Sequence, residues 1–254
     1  MLEANIRQRL QQKPLLIMTH IVIGYPSFRE SWALARAMVD AGVDLMELQI
    51  PFSEPMADGP VILKANQEAL AAGATVSKCL EFAQDLAQQV PIPLLFMSYY
   101  NILFKYGVER FAGEMKRVGL AGSIVPDLPL EEAGEYTSTM AQHDLAAVRL
   151  FAPNTPDQRM RMLSEGASGF VYCVARKGVT GATTNFSSDL DAYLARARRA
   201  TSLPLAVGFG LKDRKDVDFL RGKAEIAIIG SESLRILNES GVRATGDFIK
   251  TLVS

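Results

Sequence analysis

The sequence predicts an α/β protein of the (β/α)8 TIM-barrel class, with an extra N-terminal helix and a short phosphate-binding helix after strand eight. Three observations carry that prediction. Eight short apolar runs recur along the 254 residues, and each is followed by a stretch of helical periodicity. The runs are near-continuously apolar rather than alternating, as expected of parallel strands covered on both faces. The length also matches the roughly 250 residues of such a barrel. A doubly wound open sheet is the competing architecture. It fits less well, because no Gly-x-Gly-x-x-Gly opens the first strand–helix unit and no composition shift marks a second domain. Residues 1–254 are therefore expected to form one barrel domain.

Residues 1–10 (MLEANIRQRL) pattern as a polar amphipathic helix rather than a signal peptide. The first strand is expected at 15–23 (LLIMTHIVI), followed by a helix over 28–41 announced by Pro26-Ser27. The second strand, 44–50 (DLMELQI), runs into the Gly/Pro turn Met56-Ala57-Asp58-Gly59-Pro60, and Thr75 opens a helix over 75–89. Strands over 93–98 and 121–125 flank a helix at 107–118 that Gly119 closes. Helical periodicity over 129–143 precedes a strand at 145–151, and the helix at 156–165 ends at Gly166. Strands at 169–174, 204–208 and 225–229 alternate with helices at 187–200 and 212–221. A short helical stretch at 231–237 and a last helix at 241–252 complete the chain.

Bulk properties exclude several functions. Lys plus Arg number 27 against 28 Asp plus Glu, a net charge of −1 that gives no electrostatic case for nucleic acid or an anionic membrane. Cys79 and Cys173 lie far apart without metal-ligand spacing, and His20 and His143 form no motif with them. No apolar run approaches the roughly 18 residues of a membrane span. The expectation is a reduced, soluble, cytoplasmic protein with no metal or organic cofactor of its own.

A barrel of this class carries its chemistry on the loops at the C-terminal ends of its strands, and the unusual residues fall there. Glu47 is an acidic residue near the end of an otherwise apolar second strand, where an isolated carboxylate loses its hydration for nothing. Asp58 sits on the loop that follows. Ordinary roles for the two are an ion pair inside the barrel and a turn-forming aspartate; together they make a candidate acid/base pair. After the sixth strand comes the polar loop Ala175-Arg176-Lys177-Gly178-Val179-Thr180-Gly181-Ala182, after the seventh Gly208-Phe209-Gly210, and after the eighth Gly230-Ser231. Glycines there, with a short helix opening at Ser231, suit a phosphate held by backbone N–H groups at a helix N-terminus. Taken singly, each glycine could merely make a turn.

These residues bring a family resemblance with them. From about residue 5 to the C-terminus the chain resembles the alpha subunit of tryptophan synthase. The most specific pieces are Glu47-Leu48-Gln49-Ile50-Pro51-Phe52-Ser53-Glu54-Pro55 with Ala57-Asp58-Gly59-Pro60, Tyr99-Tyr100-Asn101, Ile124-Val125-Pro126-Asp127-Leu128-Pro129, Gly178-Val179-Thr180-Gly181, Gly208-Phe209-Gly210 and Gly230-Ser231. The resemblance implies retro-aldol cleavage of indole-3-glycerol phosphate to indole and glyceraldehyde 3-phosphate, in an αββα complex with a pyridoxal-phosphate beta subunit. It implies that Glu47 protonates the indole carbon bearing the side chain, while Asp58 hydrogen-bonds the indole N–H. The chemistry needs that division: the leaving carbanion is poor until the ring is protonated, so an acid must reach that carbon while an anion supports the nitrogen. By the same resemblance Tyr172 stands beside the catalytic carboxylate, and Thr180 reaches Asp58 when the loop after the sixth strand closes. Gly181, Gly210, Gly230 and Ser231 contact the phosphate, Gly208 is among the substrate-binding residues, and Met97, Tyr99, Ile124 and Phe209 line the indole slot.

Several positions depart from the family pattern. His20 stands where an aromatic residue is common, Val22 where a threonine is, and Tyr25 where an aspartate precedes the proline. Glu-Leu-Gly becomes Glu47-Leu48-Gln49, and Ser-Asp-Pro becomes Ser53-Glu54-Pro55. His20 could stack on the indole, donate a hydrogen bond to it, or serve as a core histidine. Gln49 adds bulk beside the catalytic strand end, and Glu54 lies on the loop that faces the beta subunit in the family. Two alternatives stay open on this reading: a free-standing indole-producing lyase, and a non-catalytic phosphate-binding regulatory subunit of a beta chain.

Overall fold

The computed structural model of the protein describes residues 2–175, 188–208 and 210–253. Its eight strands close into a parallel barrel in sequence order: β1 (Leu16–Val22), β2 (Leu45–Gln49), β3 (Leu94–Met97), β4 (Gly122–Ile124), β5 (Ala146–Phe151), β6 (Val171–Val174), β7 (Leu205–Gly208) and β8 (Ile226–Ile229), with β8 pairing back onto β1. Each strand lies within two residues of its expected bounds. The surrounding helices are α1 (Leu2–Leu10), α2 (Phe28–Asp40), α3 (Pro60–Ala71), α4 (Val76–Ala87), α5 (Tyr100–Tyr106), α6 (Val108–Arg117), α7 (Gly134–Gln142), α8 (Asp157–Glu165), α9 (Ser188–Ala200), α10 (Arg214–Phe219) and α11 (Ser231–Val253).

Two of these helices were not anticipated. α3 begins where the Gly59-Pro60 pair reads as a turn; Pro60 occupies its first helical position, where the missing N–H has no partner to lose and the fixed φ suits a helix. α5 follows β3 directly, in a stretch too short to show periodicity. The helical stretches expected at 231–237 and 241–252 are the two helices of α11, which meet across a kink at Gly241, where the backbone is non-helical with φ 80°.

The strands are buried on both faces because they separate two cores. Leu16, Met18, Leu45, Leu95, Ile124, Val148, Phe170, Ala206 and Ile228 point into the barrel, and Leu2 and Ile6 of α1 close its N-terminal end against them. Ile17, Ile21, Met46, Leu48, Phe96, Cys173 and Val207 point outward into the layer beneath the helices. At about 25 cal/mol per Å² of apolar surface removed from water, these two layers hold the fold together. Asp44 anchors the closed end: its carboxylate accepts from Ile17 N (3.0 Å) and pairs with Lys13 (2.8 Å). The register sets what faces what at the open end. His20 is the β1 partner of Glu47 in β2, and Val174 of β6 the partner of Gly208 in β7. No helix among the described residues is long and apolar enough to cross a membrane.

Candidate active site

The barrel opens at its C-terminal end into a cavity of ≈ 460 Å³, within the range of small-molecule sites. Glu47, Asp58 and Tyr172 all face it, as do His20, Met97, Ile124, Gly210, Gly230 and Ser231. Strand parity explains the convergence. Residues 45, 47 and 49 of β2 share one face of the strand, so the pattern that sends Leu45 into the barrel sends Glu47 and Gln49 there too.

Glu47 and His20 are almost wholly buried, at 4% and 2% exposure, and they meet: His20 Nδ1 hydrogen-bonds Glu47 Oε1 at 2.7 Å. Burial works against a charged imidazole, but the Glu47 hydrogen bond and charge, the Asp58 charge and Gln49 outweigh it, and His20 is raised above the ordinary histidine range. Glu47 Oε2 has no hydrogen-bond partner among the described residues.

Asp58 is held by the loop around it. Gln49 Nε2 donates to Asp58 Oδ2 at 2.7 Å. Burial pushes the Asp58 carboxyl up, opposed by the Gln49 hydrogen bond, the His20 charge and the Tyr99 hydroxyl, and reinforced by the Glu47 charge. Tyr99 accepts from Ala57 N at 3.0 Å and stacks on Phe52 with ring centres 5.1 Å apart. It therefore stands behind the Asp58 loop rather than on the cavity wall where the indole slot was expected to need it. Asn66, fully buried in α3, accepts from Phe52 N (2.9 Å) and donates to Ile62 O (2.8 Å). Sequence reading missed Asn66 because no helix was expected there, only the Gly/Pro turn that precedes it; Pro60 at the helix start was the available signal.

Tyr172 of β6 is driven far above the ordinary tyrosine range by burial, and further by the charges of Glu47 and Asp58, so its hydroxyl remains a donor. Gly208 is the seat of that ring. A Cβ built on Gly208 would lie 2.6 Å from Tyr172 Cζ and 2.7 Å from Cε1, with the hydroxyl oxygen closer still. Gly208 was expected to bind substrate; it is not among the described residues lining the cavity and packs against the tyrosine instead.

The far end of the cavity suits an anion. Gly210, with φ +89°, adopts a backbone that L side chains rarely take. Gly230 and Ser231 present the start of α11, whose first N–H groups lack partners within the helix. Lys212 and Glu232 also line this end, and neither was singled out from sequence. Glu232 is paired with Arg235, which leaves Lys212 as the cation facing the cavity among the described residues. Thr180, Gly181 and Phe209 lie outside the described residues. Among those described, no group of three or more His, Cys, Asp or Glu side chains is arranged to hold a metal ion.

Comparison with known proteins agrees with this geometry. A family model described as Tryptophan synthase alpha chain matches residues 6–252. The chain is 59% identical over 252 residues to the tryptophan synthase alpha chain of Syntrophotalea carbinolica, covering 99% of this chain and 100% of that one. It is 57% identical over 252 residues to that of Desulforapulum autotrophicum, with the same coverage. Among solved structures it resembles Mycobacterium tuberculosis tryptophan synthase with a TM-score of 0.92 at 28% identity, covering 99% of this chain and 96% of that one. It also resembles the tryptophan synthase complex of Pyrococcus furiosus with a TM-score of 0.85 at 30% identity, covering 93% and 97%.

Proposed function

The chain belongs to the tryptophan synthase alpha chain family, and from that premise we propose that its barrel cavity is where indole-3-glycerol phosphate is cleaved. The protein is a carbon–carbon lyase of tryptophan biosynthesis, yielding indole and glyceraldehyde 3-phosphate, and its partner is the beta subunit of tryptophan synthase. An α2β2 assembly in the cytoplasm is the setting we infer; the two cysteines, both free and buried, are consistent with a reducing compartment.

One observation carries the residue assignment. A buried carboxylate oxygen, Glu47 Oε2, has no partner among the described residues, in the wall of the same cavity that holds a second carboxylate and a helix N-terminus. Buried polar atoms are normally paired, so an orphan beside a cavity is suited to a partner that arrives with substrate. In this reading the phosphate lies against Gly210, Gly230 and Ser231, with Lys212 adding charge, and the indole lies between Met97 and Ile124. Glu47 delivers a proton to the ring carbon bearing the side chain. Asp58 accepts the indole N–H and stabilises the positive charge that protonation puts on the ring, in a site where burial strengthens that interaction. Tyr172 donates beside Glu47, and His20 acts on Glu47 rather than stacking on the ring.

The test is indole release from indole-3-glycerol phosphate by the purified protein, with and without a beta subunit. Glu47→Gln keeps the shape and removes the proton, and should lower kcat by about 10²–10⁴-fold. Activity equal to wild type in Glu47→Gln would overturn the assignment.

A further inference from the structure

The two oxygens of Glu47 stand in different situations. Oε1 is tied to His20 Nδ1 at 2.7 Å across the β1–β2 ladder, where the two residues are register partners. Oε2 is as deeply buried, with no partner among the described residues. Beyond the ring, His20 Nε2 and Gln49 Oε1 also lack a hydrogen bond of good geometry, although Gln49 lies near enough to favour the charged imidazole. Gln49 Nε2 is committed to Asp58 Oδ2 at 2.7 Å. His20 thus pairs with Glu47 and Gln49 with Asp58, and the two pairs stand side by side in one wall of the cavity. An apolar side chain at position 20 would fill the barrel wall without the desolvation that a buried imidazole suffers. A histidine there is costly unless it acts on Glu47.

Building on the lyase reading above, we propose that His20 is a positioning residue that holds Glu47 by Oε1, leaves Oε2 to exchange protons with substrate, and shares with Glu47 the single proton the cleavage cycle uses. With the proton on His20, Glu47 is a carboxylate; with it on Glu47, His20 is neutral. In the acid step Oε2–H gives its proton to the indole carbon bearing the side chain. The ring double bond supplies the electrons of the new C–H bond, and the nitrogen lone pair closes the C=N⁺ bond. In the cleavage step the hydroxyl on the adjacent side-chain carbon returns a proton to Glu47. Its O–H pair becomes the C=O bond, the broken C–C pair restores the ring double bond, and the C=N⁺ pair returns to nitrogen. The pair ends, as it began, with one proton.

The groups facing His20 set how long that proton is kept. β2 brings Glu47 and Gln49, the following loop Asp58, and β6 the Tyr172 hydroxyl. Lys212 and Glu232 also line the cavity, and among the described residues β8 contributes Ile228 and the turn after it Gly230. The two near carboxylates dominate and favour retention of the proton. Loss of the pair's proton then forms the alkaline limb of the kcat profile, and the raised imidazole sets where that limb lies.

The experiment uses full-length protein in a His143→Gln background. His143 pairs with Glu109 away from the cavity, and its removal leaves His20 as the sole histidine. NMR titration of the imidazole should give a midpoint above the roughly 6.5 of a free histidine, moving down in Glu47→Gln. His20→Asn retains a donor for Oε1 but cannot titrate. It should keep KM within about twofold while the alkaline limb of kcat moves down by at least about one pH unit, a tenfold loss on that limb. His20→Phe should move the limb down likewise and, without a donor for Oε1, raise KM as well. A folded His20→Asn with the wild-type limb overturns the proposal. If neither variant folds, an imidazole that is already neutral below pH 6.5 in the His143→Gln protein overturns it equally. Failure of the lyase reading is distinguishable, because the wild-type protein would then release no indole at any pH.

Discussion

Substituting Gly208 by alanine tests whether β7 carries a glycine here to seat the Tyr172 ring. The added Cβ would stand 2.6 and 2.7 Å from two Tyr172 ring carbons, against the roughly 3.5–4.0 Å of an unstrained carbon contact. About 1 Å must therefore be found. The backbone cannot supply it, because Gly208 is paired in register with Val174 and its carbonyl accepts from Ala175 N at 3.0 Å. The ring must swing towards the cavity. Overpacking of this kind costs about 1–3 kcal/mol, and the open cavity on one side places Gly208→Ala near the low end, about 1 kcal/mol. The catalytic loss should be larger: a 1 Å displacement of a group beside the reacting atoms is worth about 10²-fold in kcat/KM. Denaturant unfolding and indole release read the two effects separately. In a Tyr172→Ala background the Gly208→Ala penalty should largely disappear, giving a coupling energy of about 0.5–3 kcal/mol as for residues in contact. Wild-type stability and activity in Gly208→Ala, or strict additivity with Tyr172→Ala, would refute the reasoning.

Two further predictions concern charge. Burial raises the folded Asp58 pKa, so this group contributes stability below its unfolded value and loses it as pH rises through the folded value. At pH 7 the ionised carboxylate is a net burden, and Asp58→Asn should unfold at a higher denaturant midpoint than wild type while releasing indole far more slowly. The stability gap should close as the pH falls towards about 4; a less stable Asp58→Asn at pH 7 contradicts this account. Lys212 faces the phosphate end from an exposed position, so Lys212→Ala should raise KM for indole-3-glycerol phosphate with kcat little changed, by a factor that shrinks as salt is added.

The barrel was legible because its signal is local and repeated. Eight apolar runs with helical stretches between them admit few parallel arrangements, and β8 (Ile226-Ala227-Ile228-Ile229) can be delimited from its isoleucine content alone. α3 and α5 were not legible, because one starts in a Gly-Pro pair and the other spans only residues 100–106, too few for a period to show. Tyr99 and Gly208 were drawn towards substrate by their place in shared motifs. Their contacts assign them to the Asp58 loop and to the Tyr172 ring, relations between residues far apart in the chain.

The sequence by itself determined the fold class, and it singled out the C-terminal end of the barrel and, as the proposed carboxylates of the chemistry, Glu47 and Asp58. An acidic residue in an apolar strand and glycines at strand ends are recorded in residue type and order. Only the tertiary structure decided what those carboxylates touch. His20 reaches Glu47 because closing the barrel brings β1 against β2 in one particular register; a slip of one residue would turn His20 out of the barrel. Asp58 is held by Gln49 because α3 and Tyr99 clamp the intervening loop. Hydrogen bonds and charge effects fall off over a few ångströms, so they depend on distances that chain order does not contain.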